Sequence, residues 1–212
     1  MQFIASSTPP PASNDVHVWQ IPLAADADSL RAALSALSPA ESQRAARFRS
    51  PDDRRRYAVA HATLRRLLAR YSNCRPDQLS FTHGPRGKPE LADARWRFNL
   101  SHSGDRALLA IAPPDAGGIG VDIEQIRPLD FPSLARTVFP PPEQSLLAGL
   151  HGPEQADHFF RLWVRHEARV KAIGGTLGDH AGVPVFDLHV SPDCRAALAT
   201  SLPNPQVRML TA

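Results

Sequence analysis

The sequence predicts an α+β fold, and three observations carry that prediction. A long apolar stripe at helical spacing runs through Tyr57, Ala60, His61, Leu64, Leu67, Leu68 and Tyr71. A second helical pattern covers about Gln155 to Ile173 and stops at Gly174-Gly175, a helix-ending pair. Between and beyond them lie short alternating or apolar runs bounded by Gly, Pro and Asp, which read as strands.

Taken in order, residues 1–14 carry Thr8-Pro9-Pro10-Pro11 and read as a disordered, extended lead-in. Val16 to Ile21 alternates and meets Pro22, so a strand is expected. A helix is expected over Leu30–Leu37. Ser38-Pro39-Ala40-Glu41 combines an N-cap serine, proline at the first helical position and glutamate three residues after the cap, which is a capping box. Ser50-Pro51-Asp52-Asp53 repeats the start signal for the long helix to Tyr71. Leu79–Thr82, Arg95–Leu100, Arg106–Ala112, Ile119–Glu124 and Val183–Ser191 are expected strands. His83–Pro89 and Ser101–Asp105 are expected loops, and Glu143–Leu150 a short helix.

Composition excludes several classes. With 42% hydrophobic and 21% charged residues over 212, the chain is ordinary globular material. Its apolar runs are too short to span a bilayer, and Met1-Gln2-Phe3-Ile4 does not start a secretory leader, so a cytoplasmic protein is expected. Cys74 and Cys194 are too few for a disulfide framework or a cysteine-rich zinc site. Net charge is +3, yet among the 24 basic residues only Lys88 and Lys171 are lysines; the rest are arginines. Base-composition bias explains most of that. The alternative is that both lysines stand where an ammonium is required. Arginine clusters at 44–49, 54–56 and 65–66 suit phosphates or an acidic partner, and no aromatic interleaving points to nucleic acid.

Three constellations could carry chemistry. In Gly120-Val121-Asp122-Ile123-Glu124 the two carboxylates share one strand face, about 7 Å apart. They form either a solvated strand edge or an oxygen-ligand site for Mg²⁺. Phe160, Trp163, Glu167 and Lys171 share one helix face, which gives either an intrahelical Glu–Lys pair or a further acid with a phosphate-binding lysine. Asn99-Leu100-Ser101-His102-Ser103-Gly104 offers several donors to an anion, or is simply a tight polar turn; no Gly-x-Ser-x-Gly elbow surrounds its serines.

Their order is what identifies a family. Gly87-Lys88-Pro89, then Phe98 to Gly104, then Gly120 to Glu124, then Trp163-x-x-x-Glu167-Ala-x-x-Lys171-Ala172 resembles the 4′-phosphopantetheinyl transferases of the Sfp type, from about Val16 to Leu188. The resemblance implies a pseudo-dimer of two similar α/β halves, here 15–116 and 117–212. It implies transfer of phosphopantetheine from coenzyme A to a serine of an acyl or peptidyl carrier protein, by a monomer that engages neither nucleic acid nor membrane. It further implies Asp122, Glu124 and Glu167 as ligands of Mg²⁺ (or Mn²⁺), and His102, Lys171 and Ser101 as phosphate contacts. Lys88, Arg56 and Arg44 would take the 3′-phosphate end, with Glu167, Lys171 and His102 as the catalytic set. An arginine-rich rim would speed encounter with an acidic carrier.

The chain departs from the family pattern at His166, where the family carries a phosphate-facing lysine, and at Arg169 and Thr176. It also stops early, which implies a second half truncated at its C-terminus and an open sheet edge. These departures leave a catalytically weak or inactive relative, binding coenzyme A or carriers, as the alternative reading.

Overall fold

The computed structural model describes residues 9–84, 87–175 and 182–212. Of the lead-in expected to be disordered, residues 1–8 lie outside that set, and 9–14 are placed, with the Asp15 N–H donating to the Ala12 carbonyl. Thr176 also lies outside the described residues.

The first half opens with strand β1 (Asp15–Pro22), helix α1 (Ala27–Ser35), helix α2 (Pro39–Ala46) and the 21-residue helix α3 (Pro51–Tyr71). The α2 capping box forms as expected, the Ser38 hydroxyl accepting from the Glu41 N–H and the Glu41 carboxylate accepting from the Ser38 N–H. A small hairpin of β2 (Phe81–His83) and β3 (Pro89–Leu91) follows, then β4 (Arg97–Ser103) and β5 (Arg106–Ala112). The second half comprises β6 (Ile119–Gln125), helices α4 (Phe131–Val138), α5 (Pro141–Ala148) and α6 (Gly152–Ile173), and strands β7 (Val185–Leu188), β8 (Cys194–Thr200) and β9 (Gln206–Thr211).

Beside the β2-β3 hairpin, the described residues form two larger sheets, ordered β4-β5-β1-β9 and β6-β8-β7. Alternation along the strands sorts side chains into layers. Trp19, Ile21, Leu109, Ile111 and Phe98 pack under α3 with Leu64, Leu67 and Leu68. The opposite face, through Val16, Val18, Leu108 and Ala110, meets Val121, Ile123, Ala196 and Leu198 of the second sheet. On the far side of that sheet, Ala197 and Ala199 pack against Val164, Ala168 and Ala172 of α6. The order is therefore helix, sheet, sheet, helix, with one long helix per half.

Three features differ from the sequence reading. Residues 101–103 are not a loop but the end of β4, and the turn is confined to Gly104-Asp105. The segment after Cys194 forms β8 at the centre of the second sheet, although its alanines carry no strand signal. The final strand does not belong to the second half's sheet: β9 returns to pair in parallel with β1, Val207 opposite Val16 and Leu210 opposite Trp19.

Glycines in β6 set how closely α6 can approach. A Cβ on Gly120 would lie 2.1 Å from the Ala168 carbonyl oxygen, and one on Gly118 would lie 2.7 Å from that of Ala172. With alanine opposite glycine, helix backbone rests directly on strand backbone.

Candidate functional site

The site lies where β4 of the first half runs beside β6 of the second. The two strands are joined by side chains. The Asn99 Oδ1 accepts from the Val121 N–H at 2.8 Å, the Ser101 hydroxyl donates to Asp122 Oδ1 at 2.7 Å, and the Ser103 hydroxyl donates to Glu124 Oε2 at 2.8 Å. The strand character of 101–103 matters here, because residues 99, 101 and 103 all face β6 while His102 points the other way.

From α6, Lys171 reaches the same point. Its ammonium donates to Asp122 Oδ1 at 2.6 Å and to the Ser101 hydroxyl at 2.9 Å. Asp122 is 3% exposed, and its second oxygen, Oδ2, is buried without a hydrogen-bond partner. Desolvation by burial pushes its pKa up to about 6, helped by the nearby Glu124 charge and opposed by Lys171 and Ser101. An ionised carboxylate with one unpaired buried oxygen calls for a cation. Glu124, half-buried two residues along the same strand face, shares its Oε2 between Ser103 and Arg127. Glu167 sits one helical turn before Lys171 on the same face of α6 and is also half-buried. Among the described residues no three His, Cys, Asp or Glu side chains already lie grouped around a common metal position.

His102 stands on the other face of β4, open to solvent yet flanked by protein. Partial desolvation first, and then the positive charges of His61, Lys171 and Arg56, hold its pKa below 6.5, with Asp53 opposing. Four basic side chains thus act on one region. Arg56 enters it tied to Asp105 at 2.9 Å and Asp53 at 3.1 Å. Beside it lies a pocket of about 420 Å³ lined by Glu41, Arg44, Tyr57, His61, Phe81 and Gly87, with the Arg44 guanidinium 5.7 Å from the Tyr57 ring centre. Tyr57 stacks on His61 at 4.0 Å. Neither Tyr57 nor His61 was singled out from sequence beyond its place on the apolar stripe of α3; a polar aromatic pair on that stripe was the available signal.

Two residues of the family pattern are held by protein groups. His166 turns toward α5. It is 4% exposed, pairs through Nε2 with Glu143 of α5 at 2.7 Å and packs on Phe139. The Lys88 ammonium donates to the backbone carbonyls of Ile119 at 2.7 Å and Lys171 at 2.8 Å. Arg169 lies near the Val183 carbonyl, away from the Asp122 cluster.

Known proteins resemble this chain in sequence. A family model of the 4′-phosphopantetheinyl transferase superfamily matches residues 118–209, and a model of the N-terminal part of such transferases matches 22–114. The 4′-phosphopantetheinyl transferase HetI of a Nostoc strain is 37% identical over 194 residues, covering 89% of this chain and 80% of its own.

The chain belongs to the 4′-phosphopantetheinyl transferase superfamily.

Other members show the same likeness over less of their length. The transferase psf-1 of Bacillus pumilus is 32% identical over 73% of this chain and 64% of its own. AcpT of Salmonella typhimurium is 41% identical over 52% of this chain and 56% of its own. The boundary between the two matched models falls between β5 and β6, so the Lys171–Ser101–Asp122 cluster joins one matched segment to the other. Among the described residues no helix is long and apolar enough to cross a membrane.

Proposed function

We propose that the chain transfers the 4′-phosphopantetheine group of coenzyme A to a serine hydroxyl of an acyl or peptidyl carrier protein, releasing adenosine 3′,5′-bisphosphate. The observation that carries this reading is the Lys171–Ser101–Asp122 cluster at the seam of the two halves, with Asp122 Oδ2 left unpaired. The donor set is all oxygen and suits Mg²⁺, which takes one or two carboxylates and fills its other positions with phosphate and water. Asp122 and Glu124 would hold it, with Glu167 as the third acid from α6. Bound there, Mg²⁺ would neutralise charge on the pyrophosphate.

The chain's own groups supply the rest. Lys171 keeps its ammonium in the seam, aimed by Asp122 and Ser101, where it stabilises negative charge gathering on the phosphate oxygens. His102, with its pKa held below 6.5, acts as a neutral N–H donor and not as a fixed cation. Glu167 accepts the proton of the attacking serine. Arg44, which lines the Tyr57–His61 pocket, and Arg56, whose charge acts on His102, receive the nucleotide end. The exposed arginines of the α2–α3 corner, Arg47, Arg49 and Arg54, favour an acidic carrier surface. The reading includes a monomer working in the cytoplasm.

The test is direct. Incubation with coenzyme A, Mg²⁺ and an apo carrier should add one phosphopantetheine group to the carrier's mass, and Asp122→Ala should abolish that gain. Coenzyme A binding without any gain across several carriers would support the non-catalytic reading instead.

A further inference from the structure

The two lysines of this arginine-rich chain are in contact. Lys88, immediately before β3, donates to the carbonyl of Lys171, and Lys171 donates in turn to Asp122 and Ser101. Lys171 lies in the last turn of α6, where carbonyls lack an N–H from the following turn. The N–H groups of Gly174 and Gly175 both go to the Val170 carbonyl. The Lys171 carbonyl is therefore met by an ammonium from the other half of the molecule, placed at the negative end of the helix dipole. The same ammonium takes the carbonyl of Ile119, the first residue of β6.

We infer that Lys88 is a positioning residue for transfer: it clamps the last turn of α6 to the first residue of β6, and so fixes the direction in which Lys171 reaches Asp122 and Ser101.

Three further observations agree. The clamp closes over a close backbone contact in the second half, where a Cβ on Gly118 would meet the Ala172 carbonyl oxygen at 2.7 Å. The head group is held in the wall of a cavity of about 350 Å³ bounded by Trp96, Ile119, Ala172 and Ile173. The charges acting most on it are Glu90 and Arg97, whereas those acting on His102 are His61, Lys171 and Arg56; the clamp and the phosphate-facing set are different neighbourhoods. Geometry also explains why arginine does not serve. A compact ammonium directs two N–H groups at converging carbonyls, and a broad planar guanidinium does not.

The role of Lys171 in this inference rests on the proposed transfer activity, but the clamp itself does not, so two readouts are needed. Lys88→Met keeps the length of the side chain and removes the donors; Lys88→Gln, with an amide donor, is the companion variant should Lys88→Met fail to fold. Hydrogen exchange in the full chain should quicken at the amides of residues 170–173 in either variant, whether or not the protein proves to be a transferase. In carrier-loading kinetics, kcat should fall about tenfold or more, as expected for a misplaced charged group. The KM for coenzyme A should change by less than about threefold, a split that separates positioning from binding. The ratio of KM values for coenzyme A and 3′-dephospho-coenzyme A should stay that of the unaltered protein. Unchanged exchange at 170–173 would overturn the clamp. A steep rise in KM for coenzyme A, with loss of discrimination against the 3′-dephospho form, would make Lys88 a phosphate ligand and overturn the positioning role.

Discussion

Asp122→Asn should make the protein more stable at alkaline pH while removing its activity. The folded state raises the Asp122 pKa to about 6, from an unfolded value near 4. Between those values the folded chain holds a proton that the unfolded chain has lost. Stability conferred by the protonated form is therefore complete below about pH 4 and declines as pH rises through about 6. Two pKa units correspond to about 3 kcal/mol of burial penalty in the metal-free protein at pH 8. Asparagine does not recover all of it. Its Oδ1 can still accept from Lys171 and Ser101, but its amide takes the place of the unpaired Oδ2 and is itself unsatisfied, at a cost of about 1–2 kcal/mol. A net gain of about 1–2 kcal/mol at pH 8 should remain, equivalent to about 3–6 °C in Tm for a chain of this size. At pH 5, where the wild-type carboxyl is protonated, the advantage should vanish or reverse. Thermal unfolding at pH 5 and pH 8, with and without Mg²⁺, is the assay. Mg²⁺ at pH 8 should raise the wild-type Tm and leave that of the variant unchanged. A variant less stable than wild type at pH 8 would refute the claim that burial of the Asp122 charge costs more than its pairing with Lys171 and Ser101 returns.

Gly120→Ala places a methyl 2.1 Å from the Ala168 carbonyl oxygen, so α6 must shift; chemical denaturation should show a loss of about 3 kcal/mol or failure to fold, and a near-neutral result would contradict the close packing. Glu41 experiences desolvation that alone would raise its pKa, but hydrogen bonds from His61, Ser38 and Arg65 outweigh it and bring the value to about 2. Its contribution is present above about pH 4.5 and lost as pH falls toward 2, so Glu41→Gln should cost about 2 kcal/mol at pH 7 and progressively less below pH 4, read from denaturation midpoints. Because His102 is assigned a neutral donor role, His102→Gln should retain at least about tenfold more kcat than His102→Ala. Equal losses would leave no place for a neutral hydrogen bond there.

Much of the site was legible because its signals are local. The i, i+2 carboxylates of β6 and the i, i+4 spacing of Glu167 and Lys171 are fixed by strand and helix geometry alone. The α2 capping box and the glycine stop after α6 are likewise short-range, and Gly174 takes the expected left-handed conformation, with φ +62°. What escaped was set by distant partners. Ala196, Ala197 and Ala199 favour helix by propensity, yet they form a central strand because the other sheet on one face and α6 on the other leave room only for small side chains. The pairing of β9 with β1 joins residues nearly the whole chain apart, beyond the reach of any periodicity. Polar composition made Ser101-His102-Ser103 resemble a loop; those side chains are polar because they face the seam with β6. The partner of His166, a departure from the family pattern, was likewise invisible in the sequence, because Glu143 lies on another helix, α5.

The account depends on Asp122, Glu124 and Glu167 meeting at one divalent ion in the seam. A crystal structure of the protein with coenzyme A and Mn²⁺, with the ion located by its anomalous scattering, tests that most directly. The prediction is a single ion touching Asp122 Oδ2 and Glu124, with the pyrophosphate beside Lys171. An ion bound elsewhere, with Asp122 still paired only to Lys171 and Ser101, would contradict it.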